Sequence, residues 1–213
     1  MPPTPPMSKA DYVYSVLLDD IRSARIPGGT ALRAAAVAER LGVSVTPVRE
    51  ALRRLEKDRL ISYEPHHGAT VIDMGADALE EFYGVRAVVE GLGARLAAAR
   101  ITPELLAGLS ALHAEMIADL GAGALAGLGE KSRAFHLSIA DIGGPAFLGQ
   151  HARAIRNSVP VPAAASLWLD PVQARANLDA HEHILAALRA ADGDLAEKIM
   201  IDHVRQAGAS RAS

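Results

Sequence analysis

The stretch LGVSVTPVREALRRLEKDRL, residues 41–60, leaves the backbone few choices. Gly42 closes a helix that the spacing of Leu32, Val37 and Leu41 predicts from a Thr30 cap, and residues 43–45 form a tight turn. Thr46 and Pro47 then open a second helix, with threonine as N-cap and proline at the first helical position, where no N–H is needed. Along it Val48, Ala51, Leu52 and Leu55 recur at three- and four-residue intervals and share one face. Arg49, Arg53 and Lys57 fall on the opposite side, with Thr46 at the exposed end. Such a helix rests on its neighbours through its apolar back and presents its cations to solvent or to a polyanion.

The flanking segments complete a small module. Residues 8 to about 23 space Val13, Val16, Leu17 and Ile21 as one helical stripe, which RIPGGT breaks. Beyond Leu60, ISYEPHHGATVID holds two β-like pieces, residues 61–64 and 69–72, around a turn containing Pro65 and Gly68. Helix, helix, tight turn, helix and hairpin make a winged helix-turn-helix over residues 9–73. Charge follows the same division. Residues 1–72 carry 10 Lys/Arg against 8 Asp/Glu, while the remainder carries 12 against 17, so a basic module is attached to an acidic one. For meeting phosphates the local patch matters more than the overall charge of −3.

From Asp77 onward the pattern is helical throughout. Helices are expected from Asp77 to about Arg100, from the Thr102 cap into the Gly/Ala-rich GAGALAGLG, and from about Glu130 to GGP. Others run from Pro145 to about Asn157, from the Asp170-Pro171 cap to about Ala190, and after ADGD through about Gln206, with VPVPAAASLW as a loop. The expected fold class is therefore mainly α: an N-terminal winged helix-turn-helix plus a C-terminal all-α helical bundle over residues 77–207. Residues 1–8 read as a disordered Pro-rich lead without the blocks of a signal peptide. The absence of cysteine excludes disulfides and thiolate metal sites and fits a reducing cytoplasm. No apolar run approaches the roughly 20 residues that span a bilayer, so no membrane partner is expected.

The wording of the basic segment resembles the signature of the GntR-type regulators, LGVS-R-TPVREAL-x-L, over about residues 10–72. The resemblance implies a winged helix-turn-helix that binds palindromic double-stranded DNA as a homodimer. It places Ser44, Thr46 and Arg49 on DNA-contact positions and His67-Gly68 at a wing tip that reaches the minor groove. Three positions depart from the pattern. Val45 replaces an arginine that commonly reads guanine, Ala34 replaces a glutamate, and Arg59 replaces a glycine. Losing a bidentate arginine–guanine pair costs about 1–3 kcal/mol of discrimination, and a valine suits a thymine methyl instead. Arg33, Arg53 and Arg59 offer further contacts to the duplex.

In the acidic module His181 lies 12 residues before Gly193 and His203 lies 10 after it. If the two helices form an antiparallel hairpin, both imidazoles sit roughly 15–18 Å from the turn and are level. His183 is about 200° round the helix from His181 and faces elsewhere. A third candidate, His136 in SRAFHLSIA, lies on a largely apolar helix, where a lone histidine is commonly a core residue. Arg86 falls on the stripe of Leu79, Phe82, Val89 and Leu96; it either pairs with Glu90 one turn on or grips an anion.

Residues 77–206 resemble the all-helical FCD ligand-binding domain of a GntR subfamily, through R-x-x-x-E at Arg86 and Glu90, FH at 135–136, and H-x-x-I at His181 with the distal His203. The resemblance implies a divalent metal, zinc or nickel, held by His136, His181 and His203, helping to bind a small carboxylate effector near Arg86. The aspartate expected four residues before the first histidine is Ser132 here, and the asparagine of a GNP pattern is missing from Gly143-Gly144-Pro145.

The expected function is a metabolite-responsive transcriptional repressor in the cytoplasm. Two other readings compete: a metal-dependent enzyme using the three histidines, and a helical adaptor that has lost DNA recognition. The enzyme lacks a hydrolase or nucleotide-binding motif, and Glu182 points away from the cluster by its spacing.

Overall fold

In the computed structural model the apolar back of the basic helix is wholly buried. The structure describes residues 7–22, 25–64, 68–73, 75–158 and 167–212, and the contact pattern divides it into two units, the first ending at residue 74 but also taking Asn157 and Ser158, the second holding the rest. The first contains helices α1 (Lys9–Arg22), α2 (Ala34–Leu41) and α3 (Val45–Lys57), with strands β1 (Ala31–Leu32), β2 (Ile61–Glu64) and β3 (Gly68–Val71). Val13, Leu17 and Ile21 of α1, Val37 of α2, and Val48, Leu52 and Leu55 of α3 share one core with Ile61 and Val71 of the sheet. Each such side chain contributes about 1.5–3 kcal/mol on burial, enough to hold α3 against its predecessors. The strand order is β1-β3-β2, all antiparallel, with Tyr63 opposite Ala69 and Leu32 opposite Ala69 on the other edge.

Two helix starts differ from the sequence expectation. Thr30 does not cap α2; Ala31 and Leu32 form a third strand, so Leu32 reaches the core from an extended backbone and Arg33 is the N-cap. α3 begins at Val45 with Ser44 as N-cap, which puts Thr46 and Pro47 at the second and third helical positions. Proline is tolerated there because the first-turn N–H groups have no intrahelical acceptor. Between the helices Gly42 takes φ 64, a left-handed conformation that lets its N–H reach the Ala38 and Glu39 carbonyls and turns the chain sharply.

The second unit holds α4 (Ala76–Ala98), α5 (Pro103–Gly121), a 3-10 turn at Leu125–Gly127, α6 (Leu128–Gly143), α7 (Leu148–Asn157), α8 (Pro171–Arg189) and α9 (Gly193–Ala212). Thr102 and Asp170 cap α5 and α8 as expected, each accepting from first-turn N–H groups. α6 starts two residues before Glu130, α7 three residues after Pro145, and α9 continues well past Gln206. The loop VPVPAAASLW lies largely outside the described residues, as does most of the Pro-rich lead. None of the described helices is long and apolar enough to cross a membrane.

α4 runs antiparallel to α9. Arg95 near its C-terminus pairs with Asp194 and Glu197 at the start of α9, while Tyr83 near its N-terminus packs on Gly208. α6 crosses α4 so closely that a Cβ on Gly143 would stand 2.3 Å from the carbonyl oxygen of Gly93. Arg100 ties the same crossing by donating to the Gly143 carbonyl. Gly143→Ala therefore sets a methyl against backbone rather than against a movable side chain. The expected outcome is a destabilisation of about 1–3 kcal/mol, read from the denaturant midpoint of the purified variant.

Candidate functional site

On the first unit, the cations of α3 divide by what they touch. Arg54 bonds Asp11 at 2.5 Å and lies 4.2 Å over the Tyr14 ring, so it belongs to the α1–α3 contact. Arg49, Arg53 and Lys57 are exposed along the other face and have no ion-pair partner among the described residues. Ser44, Val45 and Thr46 are exposed at the N-terminal end of the same face, and Ser44 makes no capping hydrogen bond with its hydroxyl. Arg33 is exposed at the start of α2, and Gly68 opens β3 with φ 79. His67 lies outside the described residues.

On the second unit, α6, α8 and α9 bring three distant histidines together. The turn through residues 190–192 folds α9 back on α8, which levels His181 with His203, and the buried face of α6 adds His136. His136 Nε2 lies 3.2 Å from Nε2 of both His181 and His203, and all three side chains are buried. Two nitrogens bound at 2.0–2.1 Å to one tetrahedral zinc stand about 3.3 Å apart, so the donor set fits a metal of that kind. Burial, with the Arg156 charge nearby, lowers His136 to about 4. Burial and the neighbouring His136 lower His203 to about 3, and burial holds His181 well below its usual range. The imidazoles are neutral with bare lone pairs, the form a metal requires. Ser132 is buried one turn before His136, a hydroxyl where a carboxylate would add a hard ligand. His183 is exposed, as its spacing requires.

Beside the imidazoles sits the acid that the four-residue spacing offers Arg86 as a partner. Glu90 is buried on the apolar face of α4. Its Oε1 accepts from Arg86 Nε and Arg156 Nε, both at 2.9 Å, and its Oε2 accepts from the Arg156 terminal nitrogen at 2.6 Å. His136 Nδ1 stands 2.8 Å from Oε2, off the line of an ideal hydrogen bond. Burial opposes the charge on Glu90, yet Arg156 and Arg86 hold its pKa well below the usual carboxylate range. Arg86 thus makes the ion pair its spacing allows, and its guanidinium also lies 4.8 Å from the Tyr83 ring centre. An acid inside an alanine-rich apolar stripe is the signal for Glu90. Arg156 carries no such signal, because only the packing of α7 brings it within reach of α4.

With neutral imidazoles, this cluster sums to two guanidinium charges against one carboxylate. A buried excess of one positive charge favours an anion. A basic reading helix and an anion-favouring helical bundle in one chain describe a DNA-binding regulator with a ligand-sensing half. The chain belongs to the GntR family: residues 9–71 match the family described as bacterial regulatory proteins, gntR family, and residues 81–206 match the FCD domain. It is 29% identical to a probable D-xylose utilization operon transcriptional repressor of Paenarthrobacter nicotinovorans, over 92% of this chain and 85% of that one. It is 32% identical to an uncharacterized HTH-type transcriptional regulator of Agrobacterium vitis, over 60% of this chain and 77% of that one. Among solved structures, E. coli McbR/YncC superposes with a TM-score of 0.75 at 26% identity, covering 93% of this chain and 94% of that one. Regulators of this family bind DNA, and FCD domains bind small-molecule effectors.

The depressed imidazole pKa values set a pH window. Unfolded histidines titrate near 6.5, whereas His136 and His203 in the fold titrate near 4 and 3. Between these values the unfolded chain binds more protons, so the stability these groups contribute is present above pH 6.5 and is lost as pH falls. Thermal melts of chelator-treated protein are expected to show a melting temperature that drops from pH 6.5 toward pH 4. A flat profile across that window would mean that the three rings are not held neutral.

Proposed function

We propose that the chain is a metabolite-responsive repressor that binds palindromic operator DNA as a homodimer in the cytoplasm. A small carboxylate effector controls it, bound beside a divalent metal, zinc or nickel, on His136, His181 and His203. The observation that carries the DNA reading is the row of Arg49, Arg53 and Lys57, exposed and free of acidic partners while Arg54 on the same helix is committed to Asp11. In a recognition helix such side chains reach phosphates and base edges. Ser44, Thr46, Arg33 and the wing residues His67 and Gly68 add contacts. Val45, 36% exposed at the tip of α3, presents an apolar surface suited to a thymine methyl.

The excess positive charge around Glu90 supports an anionic effector. A metal would raise it further, supplying an open coordination position to an effector carboxylate, while Arg86 and Arg156 neutralise the rest of its charge. The printed name of the Paenarthrobacter relative supports repression rather than activation. Pairing of two chains has a candidate surface in Val85, Val88 and Leu92 of α4, exposed at 47%, 59% and 41% and spaced along one helix face. The enzyme reading is disfavoured by Glu90 itself. A carboxylate saturated by two arginines and held strongly acidic is a poor general base. The adaptor reading is disfavoured by the free cationic row.

Binding to the chain's own promoter fragment, followed by fluorescence anisotropy, is expected to weaken steeply with added salt. Arg49→Ala is expected to lower that affinity about tenfold or more, since a base-reading arginine is worth about 1–3 kcal/mol. Equal affinity for promoter and unrelated DNA, unchanged by Arg49→Ala, would remove the operator reading. For the effector half, protein purified without chelator or nickel resin is expected to carry close to one zinc or nickel per chain by elemental analysis. His181→Ala is expected to lose the metal while still binding promoter DNA, and wild-type protein that stays metal-free under added zinc would remove the metal.

A further inference from the structure

A fourth histidine lies against this cluster from the far side. His113 on α5 is 7% exposed, and its ring centre is 6.2 Å from that of His181. Its Nε2 stands 3.3 Å from Glu182 Oε2. That contact lies in a groove of about 430 Å³ between α5 and α8, which Arg175 and Arg189 also line. Its Nδ1 is buried and has no hydrogen-bond partner among the described residues. His181 has the same deficiency: Nε2 faces His136, while Nδ1 is buried without a partner. Buried polar atoms left unpaired are rare and costly, so two of them on neighbouring rings call for a common explanation.

The proton inventory supplies one. The negative charge of Glu182, 3.3 Å from Nε2, favours the His113 tautomer with its proton on Nε2 and its Nδ1 a bare acceptor. Burial favours the neutral form of this ring, against the opposing charges of Glu182 and Asp179. A His181 that binds metal through Nε2 carries its proton on Nδ1 and needs an acceptor for it. One orphan nitrogen is thus an acceptor and the other a donor.

We propose that His113 is the positioning residue of His181, its Nδ1 accepting the His181 Nδ1 proton through one bridging water and so fixing the tautomer that turns His181 Nε2 to the metal. The inference rests on the three-imidazole metal reading. A water bridging the two Nδ1 atoms would replace two unmet hydrogen bonds with two made ones. The arrangement parallels the other side of the cluster, where Glu90 faces His136 Nδ1. It also gives Glu182 a part in the relay, as the group in the outer groove that sets the His113 tautomer.

Zinc affinity measured by competition with a chromophoric chelator, together with the visible spectrum of the cobalt-loaded protein, tests the relay on the full chain. His113→Leu removes the acceptor and is expected to weaken zinc about 10–100-fold, the usual effect of losing a partner behind a ligand, and to shift the cobalt band. His113→Gln returns an amide oxygen and is expected to recover most of both. A His113→Leu protein with wild-type zinc affinity and an unshifted cobalt band overturns the proposal and leaves the metal reading standing. Wild-type protein that takes up no zinc overturns both. If His113→Leu does not fold, Glu182→Ala decides, because that side chain is 56% exposed and the core does not depend on it. Weakened zinc in that variant supports the relay, and unchanged zinc overturns it.

Discussion

Glu90 is an ionised carboxylate sealed inside a helical bundle, and the second unit is arranged around the need to compensate it. Isolated burial of such a charge costs many kcal/mol, and removing one partner of a buried pair typically costs about 3–5 kcal/mol. Glu90 therefore requires Arg86 from its own helix and Arg156 from α7, and it holds both guanidiniums beside His136. A well-packed apolar trio at these positions would serve stability at least as well. The polar alternative gives an interior with an excess of positive charge and neutral imidazoles, which apolar packing cannot offer. The bundle bears the desolvation cost where a ligand can use the field that results.

The sequence made much of this legible for one reason: helical periodicity is local. Val48, Ala51, Leu52 and Leu55 declare the buried side of α3 without any knowledge of what covers it. The distances of His181 and His203 from Gly193 place both rings at one level because a helical hairpin has only one geometry to offer. Legibility stopped where a side chain's meaning depends on a distant element. Arg156 is one more arginine on a short helix until α7 meets α4, and His113 looks like any core histidine until α5 sets it against α8. The misplaced helix starts have a similar cause. Leu32 fits the helical stripe by spacing, but pairing of Ala31 and Leu32 with Thr70 and Ala69 across the sheet outweighed local preference.

The departures from the family pattern lie in different settings: Val45 is exposed at the tip of α3, Ala34 packs against the first core, and Ser132 is buried beside the imidazoles. Arg59 holds φ 56 where the pattern has a glycine, a backbone shape that costs a side chain about 1–2 kcal/mol and that adjoining core packing at Leu60 sustains. Val45 and Ser132 each remove a charge, one at the tip of the reading helix and one beside the imidazoles. Neither change disturbs packing, since Val45 is exposed and Ser132 is smaller than the aspartate it stands for.

Any effector response in this chain must satisfy a thermodynamic condition that its charges make concrete. A ligand shifts DNA affinity only as far as it prefers one arrangement of the protein over another. In the bundle, the groups able to report an anion are Arg86 and Arg156, and both are already bonded to Glu90. Any anion admitted there would compete with Glu90 for the same guanidiniums, and every hydrogen bond it took would leave Glu90 less compensated. Glu90 would then draw harder on His136, whose Nδ1 stands 2.8 Å from it. The ion cluster around Glu90 thus ties α4 to α7 and sets the terms on which any anion could enter the bundle.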